Sequence, residues 1–153
     1  MKETDIQAQI KKSVRLDGGY CHKLTNAFTV GIPDLLIALP PFAPCVIEIK
    51  SLNYCGGQFD RKIEVTPKQR HELFQISEVY NNVDRPLDQL RPTFSGIFVH
   101  TYVNKTHYLT GLPYRAERHT AVLLADAART RKRGSGEYWD IRPLLEAIGI
   151  TKV

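Results

Sequence analysis

Three charged residues interrupt two apolar runs that are joined by a proline-rich turn, in the stretch GIPDLLIALPPFAPCVIEIK at positions 31–50. They are Asp34, Glu48 and Lys50. If the runs pair as antiparallel strands with Asp34 opposite Glu48, the turn is centred on Pro41, and Lys50 projects from the same face as Glu48. An unpaired charge is costly to bury in a strand. The spacing therefore predicts a cluster of two carboxylates and one ammonium at the end of the hairpin away from the turn.

Two carboxylates at close range repel each other unless a cation lies between them or one of them is protonated. Hard oxygen ligands suit Mg²⁺, which usually binds one or two carboxylates together with waters and substrate phosphate. The ammonium of Lys50 can orient an attacking water or stabilise the negative charge of a pentavalent phosphorane. The cluster thus has the composition of a site for metal-assisted phosphodiester hydrolysis. An ion-paired strand end, in which Lys50 neutralises Glu48 or Asp34, is the alternative that these residues leave open.

Two predicted helices flank this hairpin. The first covers Glu3 to Leu16 and ends at a glycine pair. The acid Glu3 projects into its apolar stripe, which is unusual for a core-facing position. The stripe consists of Ile6, Ile10 and Val14. The second helix begins at the sequence TPKQ (66–69), with Thr as the N-cap, Pro at N1 and Gln at N3 of a capping box, and runs to about Tyr80.

The remaining segments predict further strands and helices. We expect an extended segment over 20–30, a glycine-containing loop over 53–62, a β-hairpin over 93–109 that turns at Asn104-Lys105, and helices over 120–131 and 141–148. This order predicts one α/β domain over residues 1–153, with a central mixed sheet flanked by helices. The motif-bearing core spans residues 3–80, and the hairpin and helical C-terminal part spans 93–153.

The composition limits the class of protein. The chain has 153 residues and a formal net charge of +5, which slightly favours an anionic partner. Its three cysteines are odd in number and lack CxxC or zinc-ligand spacing, which argues against a disulfide framework and a zinc site. No apolar run resembles a signal peptide or a membrane span. We expect a soluble cytoplasmic protein without a membrane partner.

Pro33-Asp34 followed by Glu48-Ile49-Lys50 resembles the PD-(D/E)XK nuclease motif. Neighbouring segments narrow this resemblance to the VRR-NUC group of that superfamily. The sequence ETDIQ (3–7) is similar to its leading helix, GIPDLL (31–36) to its G-[VI]-P-D-[LF] element, and TPKQ (66–69) to its [ST]-x-x-Q helix start. Short motifs occur by chance, but four elements in the correct order are more specific. The resemblance covers about half of the chain, from Glu3 to Tyr80.

The resemblance implies a restriction-endonuclease-like fold and a DNA endonuclease that requires Mg²⁺ or Mn²⁺. Small stand-alone members are frequent in bacteriophages and often resemble homodimeric enzymes that cut Holliday junctions or other branched DNA. For a phage-encoded chain this implies the cytoplasm of the host cell. Carried over by position, the metal ligands are Asp34, Glu48, the carbonyl of Ile49, and Glu3 as a further acid of the catalytic set. Lys50 is then the catalytic lysine, and Gln69 positions the attacking water or Lys50.

Basic residues beside the motifs and in the run RTRKR (129–133) are candidates for contacts with DNA phosphates. They are Lys23, Lys68, Arg70, Arg131, Lys132 and Arg133. For the last three, a solvated helix end that compensates the helix dipole is an equally good explanation. A restriction-type or single-strand nuclease is the alternative within the enzyme class. Outside that class, the alternative is an inactive DNA-binding or assembly protein on the same fold.

Overall fold

The computed structural model describes residues 2–24, 31–55, 58–59, 63–79, 94–115, 129–131 and 138–152. Within these ranges the chain forms three α-helices: α1 (Glu3–Leu16), α2 (Pro67–Phe74) and α3 (Arg142–Ala147). Helix α2 continues as a π-helical turn over Gln75–Val79. The strands are β1 (Tyr20–Lys23), β2 (Leu35–Ala38), β3 (Cys45–Cys55), β4 (Gln58–Phe59), β5 (Ser95–Val103), β6 (Thr106–Pro113) and β7 (Arg129–Arg131).

The strands form one mixed sheet in the order β1-β2-β3-β5-β6-β7, and β4 pairs with the end of β3. Strands β3 and β5 are parallel, whereas the other neighbouring pairs are antiparallel. Parallel neighbours need a crossover connection, and α2 lies in the segment between β3 and β5. The predicted α/β architecture with a mixed sheet is confirmed.

The register of the β2–β3 hairpin is the one that the sequence predicts. Leu36 pairs with Val46, and the flanking pairs are Leu35 with Ile47 and Ile37 with Cys45. The connection includes a cis peptide bond between Pro40 and Pro41. Continued by one residue, this register sets Asp34 beside Glu48.

Alternation along the strands divides the buried side chains between the two faces of the sheet. One face packs against α1 and α3, and its cluster includes Ile37, Ile47 and Phe98. The other face includes Leu52, Ile97 and Val99 and packs against Leu73 of α2. Even-numbered residues of β3 belong to this second face, so Glu48 and Lys50 lie on the side of α2.

Helix α1 has the predicted bounds, and the side chains of Ile6, Ile10 and Val14 are fully buried. A buried polar contact fixes the helix to the C-terminal segment. The indole Nε1 of Trp139 donates to Oε1 of Gln9 at 3.3 Å, and the backbone N–H of Trp139 donates to Ser13 Oγ at 2.9 Å. Gln9 is therefore a structural residue whose amide oxygen has a partner.

The structure corrects the sequence prediction in three places. The loop predicted over 53–62 is wrong for 53–55, which belong to β3, and for Gln58–Phe59, which form β4 and pair with Tyr54 and Cys55. The helix predicted over 120–131 is wrong at its end, where β7 pairs with the edge of β6. The α-helical part of α2 ends at Phe74 rather than near residue 80. In the first two cases, the backbone groups of a neighbouring strand provide hydrogen-bond partners for the segment. In the third case, the chain continues as a wider π-helical turn. Local sequence reveals none of these.

The other local predictions agree where they can be compared. Strands β5 and β6 turn at Asn104 and Lys105, whose φ angles are 50° and 61°. Helix α3 agrees with the helix predicted over 141–148 within a residue at each end. Strand β1 covers the start of the extended segment, and residues 25–30, 80–93 and 116–128 lie outside the described ranges. No helix in the described part of the chain is both long and apolar enough to cross a membrane.

Candidate active site

Asp34 lies at the point where the pairing of β2 with β3 begins. The backbone N–H of Ile49 donates to Oδ2 of Asp34 at 2.8 Å. The ladder between the two strands starts one position further along, at Leu35 and Ile47. The Asp34 side chain therefore takes the place of the next backbone acceptor and is fixed against β3.

The carbonyl of Ile49 points to the same side of β3 as its N–H, towards Asp34. We call this space between the end of the β2–β3 ladder and the side chains of Asp34 and Glu48 the gap. In a β-strand, the N–H and C=O groups of one residue point to the same side, and the N–H of Ile49 points towards Asp34. The side chain of Ile49 is fully buried in the core. Of this residue, only the backbone oxygen can therefore face the space beside Asp34, and its role as a metal ligand stays a prediction.

Glu48 is a carboxylate with only 3% of its surface exposed. Its Oε1 accepts a hydrogen bond from Gln69 Nε2 at 3.1 Å and lies 3.6 Å from Lys50 Nζ. Its Oε2 is buried and receives no hydrogen bond from the residues that the structure describes. A buried oxygen without a donor is costly, and each such atom requires an explanation.

The electrostatics of Glu48 match those of a crowded carboxylate pair. Burial is the largest cause that raises its pKa, and repulsion by the charge of Asp34 adds to it. The ammonium of Lys50 acts in the opposite direction, whereas a hydrogen bond between neutral Glu48 and Asp34 and the charge of Glu3 raise the pKa further. The net result is a pKa of about 8, compared with 4.5 for an ordinary glutamate. The ion pair with Lys50 is therefore too weak to keep Glu48 ionised near pH 7.

Gln69 completes the capping box that its sequence position predicts, and its side chain also contacts Lys50 and Glu48. Its side-chain Oε1 accepts from the backbone N–H of Thr66 at 3.0 Å, and its backbone N–H donates to Thr66 Oγ1 at 3.1 Å, which completes the capping box. The same Oε1 also accepts from Lys50 Nζ at 3.2 Å. The start of α2 therefore positions Lys50 and Glu48 with one amide group.

Glu3 is half-buried in the first turn of α1, on the opposite face of the sheet from Glu48. Its negative charge still contributes to the raised pKa of Glu48, so it lies within electrostatic range of the gap. Among the described residues, no group of three or more His, Cys, Asp or Glu side chains is arranged to hold a metal ion. The role of Glu3 as a third acidic ligand stays a prediction.

The residues present nevertheless fit a divalent cation of the kind that keeps several waters. Mg²⁺ typically needs only one or two carboxylates from the protein, and Asp34 and Glu48 provide two. The buried Oε2 of Glu48 lacks a donor, and a cation would favour the ionised form that burial opposes. The carbonyl of Ile49 is a further oxygen beside Asp34.

The basic residues predicted to contact phosphate are in different situations. Lys23 and Lys68 are exposed, at the end of β1 and at the start of α2. The stem of Lys68 lies across Gly31, so close that a Cβ built at Gly31 would be 2.5 Å from Lys68 Cγ. The guanidinium of Arg70 instead donates to the carbonyl of Tyr114 at 3.5 Å. Arg70 therefore has a structural contact in addition to its predicted role.

The C-terminal basic run is distant from the gap in the order of the sheet. The backbone of Arg131 pairs with Tyr108 in β7, which lies at the edge opposite β1. Three inter-strand spacings separate β3 from β7, which corresponds to roughly 14 Å. The side chain of Arg131, and all of Lys132 and Arg133, lie outside the described part of the structure. The contacts predicted for these residues stay predictions.

Sequence reasoning missed two contacts that shape the site. One is the hydrogen bond from the Ile49 N–H to Asp34, and the other is the passage of the Lys68 stem over Gly31. Strand alternation and the predicted register contain the signal for the first, since they set Asp34 one residue beyond the paired ladder. For the second contact, the only signal in the sequence is the glycine itself, which can adopt the positive φ of 83° that the structure shows at Gly31.

Comparison with known proteins gives no further constraint. No protein-family model matches the chain, and neither curated proteins nor solved structures give a match.

Proposed function

We propose that this chain is a divalent-metal-dependent DNA endonuclease of the PD-(D/E)XK type, with a restriction-endonuclease-like fold. The observation that carries this proposal is the buried carboxylate pair of Glu48 and Asp34, in which Glu48 Oε2 meets no nitrogen donor and a proton shared with Asp34 or a bound cation must relieve the repulsion. A simple ion-paired strand end does not account for it. Lys50 contacts the other oxygen, Oε1, and leaves the pKa of Glu48 raised to about 8.

In the proposed reaction, each residue has a role that follows from its contacts. A bound Mg²⁺ or Mn²⁺ supplies positive charge to the scissile phosphate and to the leaving 3′-oxygen. Asp34, fixed by the Ile49 N–H, and Glu48, fixed by Gln69, supply the carboxylate ligands, with the carbonyl of Ile49 beside them. Lys50, held at 3.2 Å from Gln69 Oε1, orients the attacking water and offsets charge on the phosphorane.

The proposed substrate is branched DNA, such as a Holliday junction, and the proposed assembly is a homodimer in the cytoplasm, which for a phage-encoded protein is that of the host. Two-fold related sites match the two-fold related strands of a junction. A restriction-type or single-strand nuclease shares the same site chemistry. An inactive DNA-binding scaffold would not need a buried carboxylate pair with a free oxygen.

The test is cleavage of a four-way junction, a flap, a duplex and a single strand, each with Mg²⁺, Mn²⁺ or EDTA. Wild type is compared with Lys50→Met, which keeps the aliphatic stem and removes the charge. Lys12→Met is the matched control, because Lys12 is exposed on α1. We expect metal-dependent paired cuts in the junction by wild type and the control, and none by Lys50→Met.

Each other outcome has a definite meaning. Cleavage that survives in Lys50→Met would show that another site or another protein is responsible. Preferred cleavage of duplex or single-stranded DNA would support the alternative nuclease classes. Junction binding without cleavage under every metal condition would support the scaffold and refute the proposed enzyme.

A further inference from the structure

Strand β1 presents two aromatic rings at the edge of the sheet. The side chains of Tyr20 and His22 are exposed, that of Tyr20 by 55%, whereas Cys21 between them is buried. Successive side chains of a strand point to opposite faces, and Cys21 belongs to the core cluster on the α1 and α3 side. Both rings therefore lie on the other face of the sheet, which is the face of Glu48 and Lys50.

The two rings are oriented alike. The planes of Tyr20 and His22 differ by 6°, and their centroids lie 6.3 Å apart. A planar base can therefore lie parallel to both rings, which is the arrangement that stacking between a base and an aromatic side chain requires. We call Tyr20 and His22 the aromatic platform.

Strand register sets the platform close to the carboxylate pair. His22 pairs with Leu36, and the backbone N–H of Leu24 donates to the carbonyl of Asp34 at 2.9 Å. His22 and Asp34 are thus diagonal neighbours on one face of an antiparallel pair, roughly 7–8 Å apart. A stacked DNA strand advances about 3.4 Å per nucleotide, so the platform lies about two nucleotide steps from the proposed metal site.

The surface between the platform and the pair is accessible. Leu36 and Ala38 of β2 lie on this face and are only half-buried, whereas Leu35 and Ile37 on the other face are buried. Helix α2 covers the same face further across the sheet, where Leu73 packs against β3 and β5. The side chains at β1 and β2 therefore leave a surface beside α2 that a substrate strand can contact.

A base that stacks on such a platform must be unpaired. In duplex DNA each base is already stacked on its neighbours, whereas in a single strand or at a branch point it can turn its face to a protein ring. We propose that Tyr20 and His22 stack on unpaired bases of the substrate strand beside the scissile phosphate. This inference rests on the proposed nuclease function and specifies its substrate as DNA with unpaired bases at the cut.

The test compares two single strands of equal length and charge, an oligothymidylate and the same sugar-phosphate chain without bases. Dissociation constants are measured by fluorescence anisotropy in EDTA, which prevents metal-dependent cleavage, and again with Ca²⁺. The proteins are wild type, Tyr20→Thr, His22→Thr, Tyr20→Phe and Tyr102→Thr. Tyr102 is the matched control, because it is a strand tyrosine with 41% exposure that lies in line with Phe98 on the opposite face.

The expected effect depends on the bases and not on the charge of the strand. We expect wild type to bind the oligothymidylate about tenfold more tightly than the abasic strand. Tyr20→Thr and His22→Thr should each weaken oligothymidylate binding by about fivefold or more, with little change for the abasic strand. Tyr20→Phe keeps the ring and should bind like wild type, and so should Tyr102→Thr. Stacking releases no counterions, so the salt dependence of Kd should be the same in Tyr20→Thr as in wild type.

Several results would overturn the platform. Equal weakening on both strands in Tyr20→Thr would show that the ring acts on the fold or on the phosphate backbone. Unchanged oligothymidylate affinity in both threonine variants, or an equal loss in Tyr102→Thr, would refute the role of the rings. If Tyr20→Thr does not fold, His22→Thr decides by the same comparison of the two strands.

Failure of the platform is distinguishable from failure of the proposed nuclease. Junction cleavage by wild type without base-dependent binding would refute the platform and leave the nuclease in place. Base-dependent binding that Tyr20→Thr loses, in a protein that cuts no DNA with any metal, would support the stacking site and refute the nuclease.

Discussion

The raised pKa of Glu48 predicts that metal binding is coupled to the release of a proton. In the metal-free protein the pKa of Glu48 is about 8, because the side chain is buried and lies beside the charge of Asp34. In the unfolded chain it is that of an ordinary glutamate, 4.5. Between these two values the folded protein holds a proton that the unfolded chain has lost. The stability contributed by neutral Glu48 is complete below pH 4.5 and is lost as the pH rises through 8.

The size of the effect follows from the same shift. Each pH unit inside the window lowers the free energy of unfolding by about 1.4 kcal/mol. Because Asp34 and Glu48 titrate as a coupled pair, we expect a total of the order of a few kcal/mol for the pair. A cation binds the ionised pair, so the apparent Kd for Mg²⁺ should fall about tenfold per pH unit between pH 6 and 8 and level off above about pH 8.

Calorimetry with Mg²⁺ at pH 6, 7, 8 and 9 checks both statements. Titrations in two buffers of different ionisation enthalpy give the number of protons released, which should be close to one at pH 6 and fall towards zero at pH 9. Glu48→Gln is the control. It should be more stable than wild type in EDTA at pH 8 and should bind the metal weakly at every pH. Tight binding to wild type without proton release, or with a pH-independent Kd, would refute the assignment of Glu48 as a buried ligand.

Four further substitutions test residues of the site and of the segments that support it. Lys50→Met should lower single-turnover cleavage by at least about 100-fold while the calorimetric Kd for Mg²⁺ stays within a few-fold, and a large loss of affinity would contradict its assignment as a non-ligand. Thr66→Ala should cost about 1 kcal/mol in urea unfolding through the lost N-cap, with cleavage near that of wild type at 20 °C. Gln69→Ala should lose stability and cleavage together, and equal activity in the two variants would exclude a double role for Gln69. Gly31→Ala should lower the free energy of unfolding by about 1–2 kcal/mol, because a Cβ there meets the Lys68 stem at a φ of 83°; unchanged urea unfolding would contradict this.

The parts of the fold that the sequence predicts well are those set by local chemistry. The stripe of α1, the capping box at Thr66 and the turn at Asn104-Lys105 each depend on residues within one or two turns of the chain. Strand β4 and strand β7 were mispredicted because they exist only where an edge of β3 or β6 offers unpaired backbone groups. Such an edge depends on strand lengths across the sheet, which no local pattern specifies.

The candidate site shows the same division. Strand alternation and a single register are sufficient to bring Asp34, Glu48 and Lys50 together, and the structure confirms that register through Leu36 and Val46. The donor-free oxygens could not be predicted, because they depend on which partners each buried atom fails to meet. Gln7 and Gln9 have the same residue type and nearly the same burial, yet only the fold shows that Trp139 reaches one of them.

The hydrogen bonds around the pair explain why the site is arranged with amides rather than with a second lysine. Gln69 donates to Oε1 of Glu48, and the Ile49 N–H donates to Oδ2 of Asp34, so each carboxylate has one oxygen held by a neutral donor. Neutral donors fix orientation without adding the positive charge that would compete with a cation. Lys50 is the one cation beside the pair among the contacts described, and its ammonium donates to Gln69 Oε1 at 3.2 Å and lies 3.6 Å from Glu48 Oε1, the oxygen that is already held. Replacement of Gln69 by lysine should therefore lower the pKa of Glu48 and weaken Mg²⁺ binding, and calorimetry that showed tighter binding would contradict this account.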